Sequence, residues 1–127
     1  AVESIEHSSA DLGALIGLAA DEKWDRGSSY KIGGKEKSNQ FSRWAIVERA
    51  ADGESYDVVV ERLVQRARPF EQHFRQLPEG VRLLFSIYRT GCDTVFGLGL
   101  HVPQLQFLAS IGAEVDLSFL VRVDEER

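Results

Sequence analysis

The chain has 127 residues, of which 43% are hydrophobic, and a net charge of −5, a composition that suits one domain with an apolar core. Acidic and basic residues are interleaved, which excludes a disordered acidic tail and a basic arm for nucleic acid. Cys92 is the only cysteine and no apolar run approaches the roughly 20 residues of a membrane helix, so we expect a cytoplasmic protein with no internal disulfide and no membrane partner.

The N-terminal third of the chain predicts one short helix followed by a long loop. Ser8 and Asp11 have the spacing of a capping box, and the apolar residues after them recur at helical spacing until Gly17. Residues 18–40 contain glycine, serine and mixed charges without a sustained period. We therefore expect a helix at 8–16 and a loop at 18–40, and a strand before the helix is left open.

From Phe41 onward the patterns predict strand, helix, strand, strand, helix, strand. The last strand has the clearest pattern, because apolar residues alternate from Val115 to Val123. The predicted elements are a strand at 41–48, a helix at 55–67 that kinks or restarts at Pro69, a hairpin of strands at 81–88 and 94–100, a helix at 103–112 and a strand at 115–123.

This order is the split βαβ order of ferredoxin-like sandwiches. The predicted fold class is therefore α+β, with an antiparallel sheet and helices packed on one face. Residues 1–127 form one domain in this interpretation. The split βαβ core spans 41–127, and the N-terminal helix and the loop at 18–40 are additions to it.

An ordered set of short motifs runs over nearly the whole chain. It comprises L-x-x-L-I-G-L at 12–18, Gly27, S-R-W-A-I at 42–46, the helix interrupted at Pro69 and L-x-x-L-A-S-I-G-A-E-V-D-L at 105–117. In this set the chain resembles the bacterial domain of unknown function 4279 family. The resemblance implies a small bacterial α+β domain of undefined biochemistry.

The residues that usually carry catalysis or metal binding are scattered. His7, His73 and His101 form no ligand motif, and Cys92 has no indicated base to lower its pKa. The G-G-K at 33–35 lacks the spacing of a phosphate loop. We therefore assign no catalytic residue, no metal ligand and no cofactor.

The interrupted helix carries a basic stripe, Arg62, Arg66, Arg68 and Arg75. Such a stripe could contact phosphates, but no stacking aromatic accompanies it and the whole chain is acidic. We favour a solvated helix face and do not expect nucleic acid as a partner.

The strongest candidate for recognition is the segment from Trp24 to Trp44, in which aromatic surface and cationic donors share a loop. Its candidate binding residues are Trp24, Arg26, Tyr30, Lys31 and Arg43. In the alternative interpretation the tryptophans close the core, and for Trp44 we favour that interpretation.

These patterns favour a non-enzymatic protein-binding module with an unidentified protein partner, acting through the sheet or the 18–40 loop. Self-association through an edge strand is one version, and an immunity or antitoxin-like protein that neutralises a basic toxin is another. The alternative is a small enzyme or ligand-sensing domain with a pocket between the sheet and the long loop, using carboxylates such as Asp25 or Asp93.

Overall fold

A computed structural model of the protein describes residues 1–51, 53–91 and 99–121. They form a mixed α+β structure. The strands are β1 (Val2–Ser4), β2 (Glu22–Trp24), β3 (Ser29–Ile32), β4 (Lys35–Ser38), β5 (Ser42–Ala45), β6 (Arg82–Gly91) and β7 (Glu114–Val121), and the helices are α1 (Ser9–Ile16), α2 (Tyr56–Ala67), α3 (Glu71–Arg75) and α4 (Val102–Ser110).

Five strands form one sheet in the order β2-β5-β1-β6-β7. The pairs β2–β5, β5–β1 and β1–β6 are antiparallel, whereas β6 and β7 are parallel. The prediction of an antiparallel sheet is therefore wrong for the β6–β7 pair. The chain passes through α4 between β6 and β7, and a helical crossover returns it in the same direction, as parallel neighbours require.

The N-terminal segment supplies the central strand of the sheet. All three residues of β1 are buried, with Val2 opposite both Trp44 and Leu83. A strand of three buried residues is too short to show a period of two. The sequence pattern therefore did not decide whether a strand precedes α1. This segment is therefore part of the core and is no addition to a core at 41–127.

Helix α1 is bounded by two capping interactions. The Ser8 hydroxyl accepts a hydrogen bond from the Asp11 N–H at 3.1 Å, and Gly17, with φ of 80°, donates its N–H to the Gly13 carbonyl at 2.8 Å. Leu12 and Ile16 are fully buried. The capped helix therefore lies with its apolar side on the sheet.

The helices cover one face of the sheet, and the core lies between them. Trp44 is 2% exposed, packs edge-on to Phe74 at 6.2 Å, and donates its indole N–H to the Leu18 carbonyl at 3.1 Å. The prediction that Trp44 belongs to the core is confirmed. The buried cluster comprises Val2, Leu12, Ile16, Trp44, Val60, Val64, Phe74, Phe85, Ile87, Phe107, Leu108 and Ile111.

The interruption at Pro69 is confirmed. Helix α2 ends at Ala67, one 3₁₀ turn spans Arg68–Phe70, and α3 continues to Arg75. The strand predicted at 94–100 falls largely on residues 92–98, which lie outside the described residues. The ferredoxin-like order therefore stays a prediction. No helix in the described ranges is long and apolar enough to span a bilayer.

The loop predicted at 18–40 is wrong, because this segment contains β2 and a separate two-stranded hairpin of β3 and β4. Gly33 and Gly34 join the hairpin strands with φ of 58° and 77°, the positive values of a two-residue type I′ turn. Every residue of β3 and β4 is exposed. Main-chain pairing holds this hairpin, and its two apolar residues, Tyr30 and Ile32, are exposed instead of buried in a core.

A Gly33→Val substitution is expected to open the hairpin without unfolding the domain. A β-branched residue at positive φ costs about 1–2 kcal/mol, and the exposed hairpin contributes little to the core. We expect faster hydrogen exchange of the Tyr30 and Lys37 amides, which form a hydrogen-bonded pair in this register, with a melting temperature unchanged within about 2 °C. Gly33→Asn is the matched control, because asparagine tolerates this conformation. Equal exchange rates of the hairpin amides in both variants would argue against the type I′ turn.

Candidate functional site

The structure brings two of the predicted binding residues together on the helix-free face of the sheet. Trp24 on β2 lies opposite Arg43 on β5, and the Arg43 guanidinium carbon is 5.2 Å from the centroid of the indole ring. Both side chains are partly buried. At this distance the cation is attracted to the ring face, so the pair secures the edge strand β2 to the sheet.

Glu3 extends this pair into a row of charges. It is 9% exposed on the central strand, and its carboxylate lies 3.5 Å from the Arg43 guanidinium and 3.9 Å from that of Arg82. Arg82 also contacts the Glu114 carboxylate at 2.6 Å. The charges in this row compensate one another, so Arg43 is engaged inside the fold.

Arg26 and the neighbouring Asp25 anchor the start of the hairpin. The Arg26 main-chain N–H donates to the Ser42 hydroxyl at 3.0 Å, and the Arg26 guanidinium lies 3.5 Å from the Ile5 carbonyl. Asp25 accepts the Ser9 N–H at 2.8 Å, and that hydrogen bond lowers the pKa of the Asp25 carboxyl. Asp25 thus caps the first turn of α1, and Asp93 lies outside the described residues.

Asn39 closes the base of the hairpin. Its main-chain carbonyl accepts the Gly27 N–H at 2.8 Å, its N–H donates to the Ser28 carbonyl at 2.8 Å, and its side-chain amide donates to the Ser28 hydroxyl at 2.8 Å. Three bonds at one residue fix where β3 and β4 leave the domain. The hairpin therefore projects from a defined base.

The two faces of the hairpin differ. In the observed register Tyr30 lies opposite Lys37 and Ile32 opposite Lys35, so these four side chains share one face. Tyr30 is 40% exposed and Ile32 is 59% exposed. We call these four residues the hairpin face. It combines two ammonium groups with exposed apolar surface that includes a tyrosine, a residue type enriched at interfaces.

Lys31, a predicted binding residue, lies on the opposite side of the hairpin, across from Glu36. The structure therefore separates Lys31 from Tyr30 and places both away from the Trp24–Arg43 pair. The prediction placed Lys35 in the same segment as Tyr30 but missed Ile32 and Lys37 as companions of Tyr30. A Gly-Gly pair between two short runs is a hairpin signal that would have shown this pairing.

The family model described as domain of unknown function, DUF4279, matches residues 1–122. The chain belongs to this family. No curated protein and no solved structure is significantly similar to the chain.

In this DUF4279 domain the first two arginines of the basic stripe are held by carboxylates. Arg62 contacts Glu54 and Glu48, each at 2.9 Å, and these bonds raise the pKa of the guanidinium. Arg66 contacts Asp21 at 2.9 Å and Glu48 at 3.1 Å, and its hydrogen bond lowers the pKa of the Asp21 carboxyl. The network joins α2 to the segment after β5.

The other two arginines of the stripe are engaged as well. The Arg68 guanidinium carbon lies 5.0 Å from the centroid of the Phe107 ring. Arg75 contacts Glu71 at 2.9 Å and donates to the Ser110 carbonyl at 3.1 Å. All four arginines therefore hold parts of the fold together, which disfavours the phosphate-binding alternative.

The histidines of the DUF4279 domain also have local contacts. His7 lies 3.2 Å from the Ser4 hydroxyl, His73 packs beside Phe70, and the His101 imidazole lies 3.7 Å from the Asp57 carboxylate. Within the described ranges no three His, Cys, Asp or Glu residues are grouped as metal ligands. Cys92 lies outside the described residues.

A cavity of about 780 Å³ opens between the sheet and the helices. The segment after β5, residues 46–50, forms one wall and β6 forms the other, while apolar side chains of α2 and α4 form the floor. Its position differs from the pocket predicted between the sheet and the 18–40 segment, since Glu22 is the one lining residue from that segment. The volume lies within the range of small-molecule sites, roughly 300–1,000 Å³.

Proposed function

We propose that this DUF4279 domain is a non-enzymatic protein-binding module whose contact surface is the hairpin face. The observation that carries the proposal is the exposure of Tyr30 and Ile32, side by side on a ribbon that pairs with no other strand of the described structure. Tyrosine is enriched where binding energy concentrates. A ribbon fixed at its base can present such side chains without reorganising the core.

Charge defines the chemistry of the partner. The hairpin carries Lys31, Lys35 and Lys37 against a single acidic residue, Glu36, whereas the whole chain has a net charge of −5. A locally positive ribbon attracts a negatively charged surface on a partner. The partner is therefore an acidic protein surface with an apolar centre.

The two faces of the ribbon provide a matched pair of variants. Tyr30→Thr/Ile32→Thr removes the apolar half of the hairpin face, and Lys31→Thr/Glu36→Thr makes the same number of changes on the opposite face. Threonine suits strands, so the ribbon is retained in both. Peptides are selected on the parent protein from a displayed random library, and their affinities for both variants are measured.

We expect enriched peptides that are acidic with aromatic or aliphatic residues, and affinity for Tyr30→Thr/Ile32→Thr reduced at least about tenfold, or 1.4 kcal/mol. Affinity for the opposite-face variant should stay within about threefold, and binding should weaken with added salt. Peptides that bind both variants equally would contradict the proposal.

Finer features of the proposal rest on the sequence. A single cysteine suits a reducing cytoplasm, and the motif set supports a bacterial origin. The order of elements predicted from Phe41 onward supports the ferredoxin-like order. An immunity-like role against a basic toxin would use the acidic remainder of the surface and leave the hairpin free. The Tyr30→Thr/Ile32→Thr variant would then keep full affinity for the selected peptides. This result would distinguish an immunity-like role from binding through the hairpin face.

A further inference from the structure

The hairpin of β3 and β4 is a two-stranded sheet, and no third strand of the described chain pairs with either of its outer edges. It follows β2, the edge strand farthest from β7 in the five-stranded sheet. An unpaired edge presents a row of main-chain N–H and C=O groups to which another strand can add. The hairpin therefore offers main-chain binding positions next to the hairpin face.

The register shows which main-chain groups of β3 point outward. The Asn39 N–H donates to the Ser28 carbonyl at 2.8 Å, so these two residues form a hydrogen-bonded pair across the hairpin. Hydrogen-bonded and non-hydrogen-bonded pairs alternate along an antiparallel ladder. Tyr30 is therefore the next residue of β3 that bonds inward, whereas Ser29 and Lys31 direct their N–H and C=O groups away from β4.

The edge of β3 suits an added strand better than the edge of β4. Among the described residues no hydrogen bond outside the hairpin ladder reaches the main chain of Ser29 or Lys31. On β4 the Ser38 carbonyl already accepts the side-chain amide of Gln40 at 3.3 Å. In addition, β3 carries both apolar side chains of the hairpin face, whereas β4 contributes its two lysines. An added strand would therefore find free main-chain groups and apolar contacts together only on β3.

The side chains of β3 specify the pattern of the added strand. A strand alternates its side chains between the two faces of a sheet, so every second side chain of the added strand lies beside Tyr30 and Ile32 on the hairpin face. Those positions need apolar residues, because Tyr30 is 40% exposed and Ile32 is 59% exposed. The positions between them lie on the other face, beside Ser29 and Lys31, and need polar residues.

We propose that an extended acidic segment of the partner protein adds as a strand to the outer edge of β3, with apolar residues at every second position. This proposal rests on the proposed function of the hairpin face. Charge favours a partner segment over a second copy of this chain, because the hairpin carries three lysines and one glutamate and two such ribbons side by side repel each other. Main-chain hydrogen bonds supply affinity in this mode, and the alternate side chains supply specificity.

Methylated peptides test the main-chain contacts. The probe is the tightest peptide selected on the parent protein, prepared as a series in which one main-chain N–H at a time is replaced by N–CH₃. Successive N–H groups of a bound strand point alternately toward β3 and away from it. We expect methylation at every second position of the bound segment to weaken binding at least about tenfold, and methylation between them to change affinity less than about threefold. Equal effects at successive positions would overturn strand addition.

Two proline variants test the edge of the hairpin. Ser29 and Ser38 lie opposite each other, and Ser29→Pro and Ser38→Pro each remove one outward N–H without changing the charge. Slow exchange of the Tyr30 and Lys37 amides in both variants shows that the hairpin is retained. We expect Ser29→Pro to weaken binding at least about tenfold and Ser38→Pro to stay within about threefold of the parent. Equal affinities of the two variants would overturn the proposal. The methylated peptides decide on the parent protein if a proline opens the hairpin.

The Tyr30→Thr/Ile32→Thr variant separates this proposal from the proposed function. If that variant loses affinity while the methylated peptides show no alternation, the hairpin face binds through side chains alone and only strand addition is wrong. If that variant keeps full affinity, the hairpin face is not the contact surface and both proposals are wrong. Exchange of the Ser29 and Lys31 amides that slows with rising protein concentration, without peptide, would assign the edge to a second copy and also overturn the proposal.

Discussion

Replacement of Trp44 by alanine is expected to lower the free energy of unfolding by about 3–5 kcal/mol. Trp44 is 2% exposed, packs against Phe74 and donates its indole N–H to the Leu18 carbonyl at 3.1 Å. The substitution leaves a cavity under α1 and an unpaired carbonyl. Since domains of this size unfold with about 5–15 kcal/mol, the melting temperature should fall by roughly 10–20 °C in calorimetry.

Trp24→Ala is the control for this effect. Trp24 lies on the edge strand β2, is partly exposed, and interacts with the Arg43 guanidinium at 5.2 Å. We expect the free energy of unfolding to fall by about 1 kcal/mol, because the variant loses a cation–π interaction and some apolar contact. Equal losses for the two tryptophans would show that Trp44 does not organise the core.

The second large effect is a rise in stability between pH 5 and pH 8 for the chain that begins at Ala1. Desolvation by burial, followed by the positive charge of Arg43, lowers the pKa of the Ala1 amine from 8.0 to about 5, against the opposing effect of Glu3. Between these values the unfolded chain binds more protons than the folded chain. The free energy of unfolding therefore increases with pH, by on the order of 4 kcal/mol in total, and levels off above pH 8.

Acetylation of Ala1 isolates this contribution, because it removes the titrating amine and leaves every side chain unchanged. Urea unfolding at pH 5, 6, 7 and 8 should show the increase in the free chain and a much smaller increase in the acetylated chain. Parallel pH profiles would mean that the amine is solvated in the folded protein.

The sequence predicted the elements whose side chains show a clear period or a sharp boundary. Ser8 and Gly17 delimit α1, and Pro69 separates α2 from α3, because capping groups and proline act through local geometry. The strand that ends the described chain, β7, followed from its alternation. Each of these signals is contained in a few neighbouring residues.

Long-range pairing was harder to predict. β1 is three buried residues whose neighbours, Trp44 and Leu83, are about 40 residues or more away, so no local pattern indicated a central strand. The parallel pairing of β6 with β7 depends on how α4 crosses the sheet. No local hydrophobic period indicates the central position of β1 or the parallel pairing of β6 with β7.

The candidate site was predicted only in part for the same reason. Aromatic and cationic residues between Trp24 and Arg43 pointed to the correct segment, but their grouping depends on a register that Gly33 and Gly34 set. That register combines Tyr30 with Ile32, Lys35 and Lys37. It places Lys31 on the other face and leaves Trp24 with Arg43 in the sheet.

The hairpin face is the proposed binding surface of this domain. The most direct measurement is a titration of the isotope-labelled protein with an acidic peptide selected on it, followed by nuclear magnetic resonance. We predict saturable shifts of the Tyr30, Ile32, Lys35 and Lys37 amides, with those of Ser86 and Tyr88 on β6 unchanged. Shifts centred on β6 or on the helices, with the hairpin amides unmoved, would contradict binding at the hairpin face.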